Sequence, residues 1–168
     1  LEAPPAWDAM LQAPLQCTLP AAGDAVACAP FLGDDSIQYF DYPTFNPRYK
    51  MRSDYEYFYA ISPASAESRW FDTLIKVRVG ADNASIAARW QSPGVYLTEA
   101  DFVPGESDAE DDGLLITVLY NATSDASSLA VFDARDLSLV SNARMKHVVP
   151  FHAHGIVCPK GEACFTNP

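Results

Sequence analysis

The sequence has 168 residues, the size of one ordinary domain, and it is strongly acidic, with 22 Asp and Glu against 11 Lys and Arg. This charge excess repels phosphate-rich partners and so argues against nucleic acid and anionic membrane surfaces. Apolar residues make up 49% of the chain, which argues against disorder, and no apolar run reaches the roughly 18 residues of a transmembrane helix.

The first 35 residues are rich in Ala and Pro and show no clear hydrophobic period, so we predict an irregular arm over residues 1–35. The four cysteines form two close pairs, Cys17 with Cys28 and Cys158 with Cys164. This spacing permits two small disulfide loops in an oxidising compartment, and it permits equally well four reduced thiols. Neither pair has the spacing of a CxxC metal site.

From residue 37 onward the sequence predicts strand after strand, separated by polar turns. The predicted strands, each rich in β-branched, aromatic or alternating apolar residues, cover 37–40, 55–59, 74–79, 85–90, 114–120, 129–132 and 137–145. The segment 74–79 alternates apolar and basic residues, as a half-buried strand does, whereas 114–120 is predicted to be a buried apolar strand. No segment has the period of an amphipathic helix, so we predict an all-β fold for residues 36–168.

Two segments, DTLIKVRVGADNASIAARW and SSLAVFDARDLSLVSNARM, share a strand, a polar turn and a second strand that ends in Ala-Arg. Their recurrence at a period of about 55 residues suggests the blades of a β-propeller, although two ordinary hairpins would give the same pattern. The chain has room for two to three antiparallel blades, whereas a propeller closes with about 4–8. We therefore expect an incomplete propeller, with a protein partner that completes or covers its open faces.

All three histidines, His147, His152 and His154, lie in one stretch, HVVPFHAHGIV. His152 and His154 are two residues apart and would share one face of a strand. Paired imidazoles on one face can begin a site for Zn, Fe or Cu. Exposed or structurally bonded histidines near a terminus would give the same pattern.

Two acidic features are further candidates. The sequence EDDG, which begins at Glu110, places three carboxylates before a turn glycine, where they could bind a hard cation, orient a ligand or cap a solvated turn. Asp41, in FDYPTFNP, stands among aromatic residues between two predicted strands. A buried acid there would need partners, although Asp is also common in turns. The patterns of serine hydrolases, P-loop and Rossmann proteins and HExxH metalloproteases are absent.

These motifs, in this order, resemble those of the carotenoid cleavage oxygenases, over about residues 37–157. The stretch EADFVPGESDAEDDGLLITVLYNATSDASSLAVFDARDL resembles the family's run of E-P-x-F-V-P, E-D-D-G and an apolar strand. FDYPTFNPRY resembles its E-[FL]-P-x-I-N motif, and VPFHAHG resembles its closing V-P-x-x-F-H-G. The resemblance implies a seven-bladed β-propeller with Fe(II) held on its axis by four histidines, and O2-dependent cleavage of a polyene double bond into two carbonyl products.

By this resemblance, His154 is the last of the four iron ligands. Glu110 matches an acid that hydrogen-bonds a ligating histidine, and Asp41 stands where the family has another such glutamate. Asp41 is shorter than Glu by one methylene, and His152 and Ala153 stand where the family has a small residue and Phe. The other three ligands would precede residue 1, so the chain alone is not expected to be catalytic.

Two functions follow from the resemblance and remain open. In the first, the chain is the C-terminal part of a carotenoid oxygenase whose other blades are supplied by the rest of the protein or by another chain. In the second, it is a catalytically incomplete structural or carotenoid-binding subunit of a larger assembly, such as a photosynthetic complex. The chain begins at Leu1 rather than Met, so we expect that targeting information has been removed, and we expect a plastid location, thylakoid-associated or lumenal.

Overall fold

The computed structural model describes residues 14–18, 26–32, 37, 39–65, 68, 70–80, 84–149 and 154–158. Within these ranges the chain forms eleven strands and a single short 3₁₀ helix, Pro47–Tyr49. The predicted all-β fold is therefore confirmed. In the same ranges, no helix is long and apolar enough to cross a membrane.

The strands form three antiparallel sheets. The hairpin sheet contains β1 (Leu15–Thr18) and β2 (Ala27–Pro30). The first sheet has the order β3-β4-β5-β6, formed by Asp41–Thr44, Tyr57–Ser62, Thr73–Val79 and Ala84–Gln91. The second sheet has the order β11-β10-β9-β7, with β8 also paired to β9; its strands β7 to β11 are Val95–Leu97, Asp101–Pro104, Gly113–Asn121, Ala126–Asp133 and Leu139–Arg144.

The central strands of the first sheet, β4 and β5, are buried on both faces, and the apolar residues of β4 alternate between two clusters. Tyr59 and Ile61 belong to the core shared with the second sheet. Phe58 and Ala60 belong to a cluster on the opposite face, which also contains Leu32 from the chain that follows β2. Strands buried on both faces have few solvated positions, so the first sheet is a fixed base for the loops at its ends.

The predicted burial of two strands needs correction. In β5, predicted to be half-buried, Lys76 is only 3% exposed, because its ammonium group is hydrogen-bonded to Asp111 at 2.7 Å and to the carbonyl of Arg135 at 2.8 Å. In β9, predicted to be buried throughout, Leu114 is 37% exposed while Leu115 is fully buried. Only one face of β9 contributes to the core shared with the first sheet, so its side chains alternate between core and surface.

Two N-terminal expectations also change. The residues described within 37–40 lie outside any strand, because Tyr39 directs its hydroxyl to Asp41 and its carbonyl accepts from Ser62 Oγ. The described part of the predicted irregular arm forms the hairpin sheet, which a disulfide between Cys17 and Cys28 closes. At the other end of the chain Cys158 is disulfide-bonded too, and Cys164 lies outside the described residues.

The predicted repeat corresponds to two equivalent hairpins. Strands β5 and β6 form the last hairpin of the first sheet, and β10 and β11 form the last hairpin of the second. The two sheets pack face to face through the large core cluster, in which the Trp90 and Phe132 rings meet edge to face with centroids 4.8 Å apart. The recurrence in sequence therefore reflects two sheets of similar construction.

Candidate metal-ligand site

His154 lies in the segment 154–158, which has no regular secondary structure and packs beside the start of β8. Its Nδ1 lies 3.1 Å from Oε2 of Glu99, and its ring meets that of Tyr42 edge to face with centroids 5.5 Å apart. In the Nδ1–H tautomer the imidazole donates to the carboxylate, which leaves Nε2 as the nitrogen that can bind a metal. The His154 side chain is 78% exposed, and no group among the described residues hydrogen-bonds its Nε2.

The backbone around His154 is held by two carboxylates. Oε2 of Glu99 also accepts from the amide of Gly155, at 3.3 Å, and Oδ2 of Asp101 accepts from the amide of Val157, at 2.6 Å. Burial raises the pKa of Asp101, the hydrogen bond from Val157 lowers it, and the neighbouring charge of Glu99 raises it. Both acids therefore contact the segment that carries His154.

Asp41 reaches the site through a tyrosine. Its Oδ1 accepts from the amide of Tyr42 and its Oδ2 from the hydroxyl of Tyr39, both at 2.7 Å. Tyr42 has φ 53, a left-handed conformation that non-glycine residues rarely adopt, at a shift in the β3–β4 register. Burial and the hydrogen bond to Asp41 raise the pKa of Tyr39 to about 12. Asp41 thus fixes Tyr42, whose ring contacts His154. A direct contact between Asp41 and a metal-ligating histidine stays a prediction.

Glu110 has backbone partners in the first sheet. Both of its carboxylate oxygens accept from the amide of Glu56, at 2.9 and 2.7 Å, and Oε1 also accepts from the amide of Tyr57 at 2.8 Å. Its carbonyl accepts from Nδ2 of Asn46 at 3.0 Å. These bonds attach the loop between β8 and β9 to the start of β4. The prediction that Glu110 orients a ligating histidine stays a prediction.

The other two acids of residues 110–113, which we call the EDDG turn, are paired with basic side chains. Asp111 accepts from Lys76, whose ammonium also lies 4.3 Å from the centroid of the Tyr57 ring. Asp112 accepts from the amide of Ser107 at 2.8 Å and forms an ion pair with Arg135. The hydrogen bonds from Ser107 and from Arg135 lower the pKa of Asp112 to about 2. Protein donors therefore contact the carboxylate oxygens of the EDDG turn that would otherwise bind a cation.

His147 is exposed and forms no hydrogen bond with the described residues, and His152 lies outside them. Within the described ranges, no group of three or more His, Cys, Asp or Glu side chains could hold a metal ion. The structure brings together His154 and Glu99. Sequence reasoning missed Glu99, although it is the glutamate of EADFVP, a segment that resembles the family's E-P-x-F-V-P run.

Comparison with protein families gives a match over residues 12–158 to the family described as retinal pigment epithelial membrane protein. The chain is 26% identical over 128 residues to the chloroplastic 9-cis-epoxycarotenoid dioxygenase of Oryza sativa subsp. japonica, and the match covers 73% of this chain and 20% of the relative. It is 30% identical over 82 residues to the apocarotenoid-15,15'-oxygenase of Synechocystis, and this match covers 47% of this chain and 17% of the relative. The chain therefore spans about a fifth of the length of these relatives.

Solved structures agree with the fold. The Synechocystis apocarotenoid oxygenase superimposes with a TM-score of 0.64 at 25% identity, over 78% of this chain and 27% of that one. The lignostilbene dioxygenase of Pseudomonas brassicacearum gives a TM-score of 0.67 at 20% identity, over 83% of this chain and 31% of that one. These neighbours are β-propellers, and the described sheets match a part of such a propeller.

Proposed function

Since the chain belongs to the family of the retinal pigment epithelial membrane protein and the carotenoid cleavage oxygenases, we propose that it is part of an oxygenase that cleaves a polyene double bond with O2. The observation that carries the proposal is the contact of 3.1 Å between Nδ1 of His154 and Glu99. A carboxylate on the second ring nitrogen is the usual partner of a metal-bound histidine. His154 is therefore the residue that we assign to the metal.

The metal that we propose is Fe(II), which suits imidazole ligands and supplies the activation of O2 that cleavage requires. The residues present fit one position of such a centre, because His154 offers a nitrogen that no described residue hydrogen-bonds and Glu99 selects the tautomer that exposes it. We propose that the further ligands come from the rest of the protein, since the chain spans about a fifth of its relatives.

Two features of the chain would serve the reaction around His154. Glu99 increases the basicity of the imidazole and limits its rotation, so that Nε2 stays in one position. The ring of Tyr42 packs against the imidazole and against Phe71, whose centroid lies 5.7 Å away, and Phe71 in turn stacks on Tyr39. These rings form an apolar surface beside the site, which suits an uncharged polyene chain.

The test uses the whole protein that contains this chain. We expect about one iron per chain and cleavage of an apocarotenoid to carbonyl products, with both lost in His154→Ala because each histidine ligand contributes to metal affinity. His147→Ala is the matched control, since His147 is an exposed histidine nearby with no assigned role. Carotenoid binding without iron would overturn the oxygenase proposal and favour a carotenoid-binding subunit. Stoichiometric iron would exclude the alternative that the chain belongs to a subunit with no complete iron site.

We also propose a plastid location. The relatives from Oryza sativa and Arabidopsis thaliana are both named as chloroplastic, and a plastid would place the protein beside carotenoid substrates. Imaging of the whole protein fused to a fluorescent protein tests the location, and fluorescence outside plastids would contradict it.

A further inference from the structure

The segment 154–158 is an unusual support for a metal ligand, because it has no strand or helix of its own and most of its residues are exposed. Regular secondary structure normally fixes a ligand's backbone through a hydrogen-bond ladder. Here three donors from the segment, Nδ1 of His154 and the amides of Gly155 and Val157, converge on the carboxylates of Glu99 and Asp101. These two acids therefore hold the segment beside the ring contact with Tyr42 and the disulfide of Cys158.

The second sheet fixes Asp101, and Glu99 lies two residues before it. Glu99 and Asp101 are separated by one residue, a spacing that puts two side chains on the same side of an extended chain. Asp101 opens β8 and pairs with Ile116 of β9, so its backbone belongs to the second sheet. Its bond from the amide of Val157, at 2.6 Å, is the shortest of the three bonds to the segment. Hydrogen bonds to an ionised acceptor are about twice as strong as neutral ones.

We propose that Asp101 is a positioning residue for the metal-ligand site. Its carboxylate holds the amide of Val157, so that His154 can reach Glu99. Val157 follows His154 by three residues, and three residues span at most about 11 Å, so fixing one amide confines the other residue. The bond from Gly155 to Glu99 gives a second fixed point between them. The inference rests on the proposed function of His154 as a metal ligand.

The test compares three variants of the whole protein. Asp101→Leu removes the acceptor, Asp101→Asn keeps an oxygen that can accept from Val157, and Glu106→Gln removes the charge of an exposed acid in the following loop. NMR of the metal-free protein gives the tautomer of His154 and the hydrogen exchange of the Gly155 and Val157 amides. Titration with Fe(II) under anaerobic conditions then gives the metal affinity.

With Asp101→Leu we expect faster exchange at both amides, loss of the fixed Nδ1–H tautomer of His154, and Fe(II) affinity about tenfold weaker, as for other residues that orient a metal ligand. Asp101→Asn should restore most of each property, and Glu106→Gln should change none of them. If Asp101→Leu does not fold, Asp101→Ala replaces it.

Two outcomes overturn the inference. Faster exchange at Val157 with an unchanged His154 tautomer and unchanged Fe(II) affinity would mean that Asp101 anchors the segment without positioning the ligand. An Asp101→Asn variant as impaired as Asp101→Leu would mean that the hydrogen bond is not what matters. If the wild-type protein binds no Fe(II), the proposed function fails, and the tautomer of His154 in Asp101→Leu still decides whether Asp101 positions the imidazole.

Discussion

Carboxylates stand on both sides of β8, with Glu99 and Asp101 at its start and the EDDG turn after its end. The acids of the EDDG turn accept from the first sheet and from the turn between β10 and β11, so they join the two sheets. Glu99 and Asp101 accept from an exposed segment that carries a histidine. The comparison shows that the donors a carboxylate meets, and not the local density of acids, decide what it does.

The two regions should therefore fail in different ways. A change in the EDDG turn removes a hydrogen bond or an ion pair that holds the fold, and at Asp111 it leaves the buried Lys76 without its partner, so the free energy of unfolding falls. A change at Glu99 or Asp101 frees a solvated segment, which costs little stability but moves the proposed metal ligand. Measuring the free energy of unfolding and the Fe(II) affinity on each variant separates these effects.

The largest effect is expected for Asp111→Asn. Lys76 is almost fully buried, with a side chain 4% exposed, and this variant removes the carboxylate that pairs with its ammonium group at 2.7 Å. Removing one partner of a buried pair typically costs about 3–5 kcal/mol. Urea unfolding should show a loss at the lower end of that range, because Asp111 itself is 28% exposed, with no change in Fe(II) affinity.

Lys76→Met is the control for this pair. It removes the buried charge itself and leaves Asp111, which water can reach, so the loss in unfolding free energy should be smaller than for Asp111→Asn. Equal losses in the two variants would show that the burial of the Lys76 charge does not determine how much the Lys76–Asp111 pair contributes to the free energy of unfolding.

Glu99→Gln should reverse the pattern. Gln keeps one oxygen for Gly155 but lacks the negative charge that favours the Nδ1–H tautomer of His154. Fe(II) affinity should fall about 10–100-fold, while the unfolding free energy should stay within about 0.5 kcal/mol of wild type, because the donors to Glu99 belong to an exposed segment. A stability loss as large as that of Asp111→Asn would place Glu99 among the structural acids.

Glu110→Gln tests the assignment that the family resemblance suggested for this residue. Its carboxylate accepts from two backbone amides of the first sheet, and Gln offers only one oxygen for them. The loss should be about 1 kcal/mol, the usual net contribution of a hydrogen bond, with Fe(II) affinity unchanged. A fall in affinity comparable to that of Glu99→Gln would instead support Glu110 as an acid that orients a ligand.

Local sequence patterns predicted most of the fold. The segment 85–90 was predicted as a strand and β6 is Ala84–Gln91, because alternation and β-branched residues act within a few neighbours. The burial of Lys76 could not be predicted in this way, since it depends on Asp111, 35 residues later. The same holds for Glu99 and His154, which are 55 residues apart. The role that the resemblance implies for Glu110 stays a prediction, and the glutamate that contacts His154 in the structure is Glu99.

The smallest effects concern pH, and here the two regions should have opposite signs. Since the pKa of Asp112 in the folded protein is about 2, below its ordinary value of 3.8, ionised Asp112 stabilises the fold at and above about pH 5. That contribution is lost as the pH falls from there toward 2. The difference in unfolding free energy between wild type and Asp112→Asn should therefore shrink on acidification.

Asp101 should show the reverse dependence, because burial raises its pKa above the ordinary value of 3.8. The folded protein then binds the proton more tightly than the unfolded chain, so the cost of ionising Asp101 grows as the pH rises through 3.8 and disappears on acidification. The free energy of unfolding of wild type relative to Asp101→Asn should increase from about pH 6 to about pH 3. Chemical denaturation across that range measures both differences, and changes of the same sign in the two variants would mean that Asp101 and Asp112 occupy equivalent environments, contrary to the contrast between their donors.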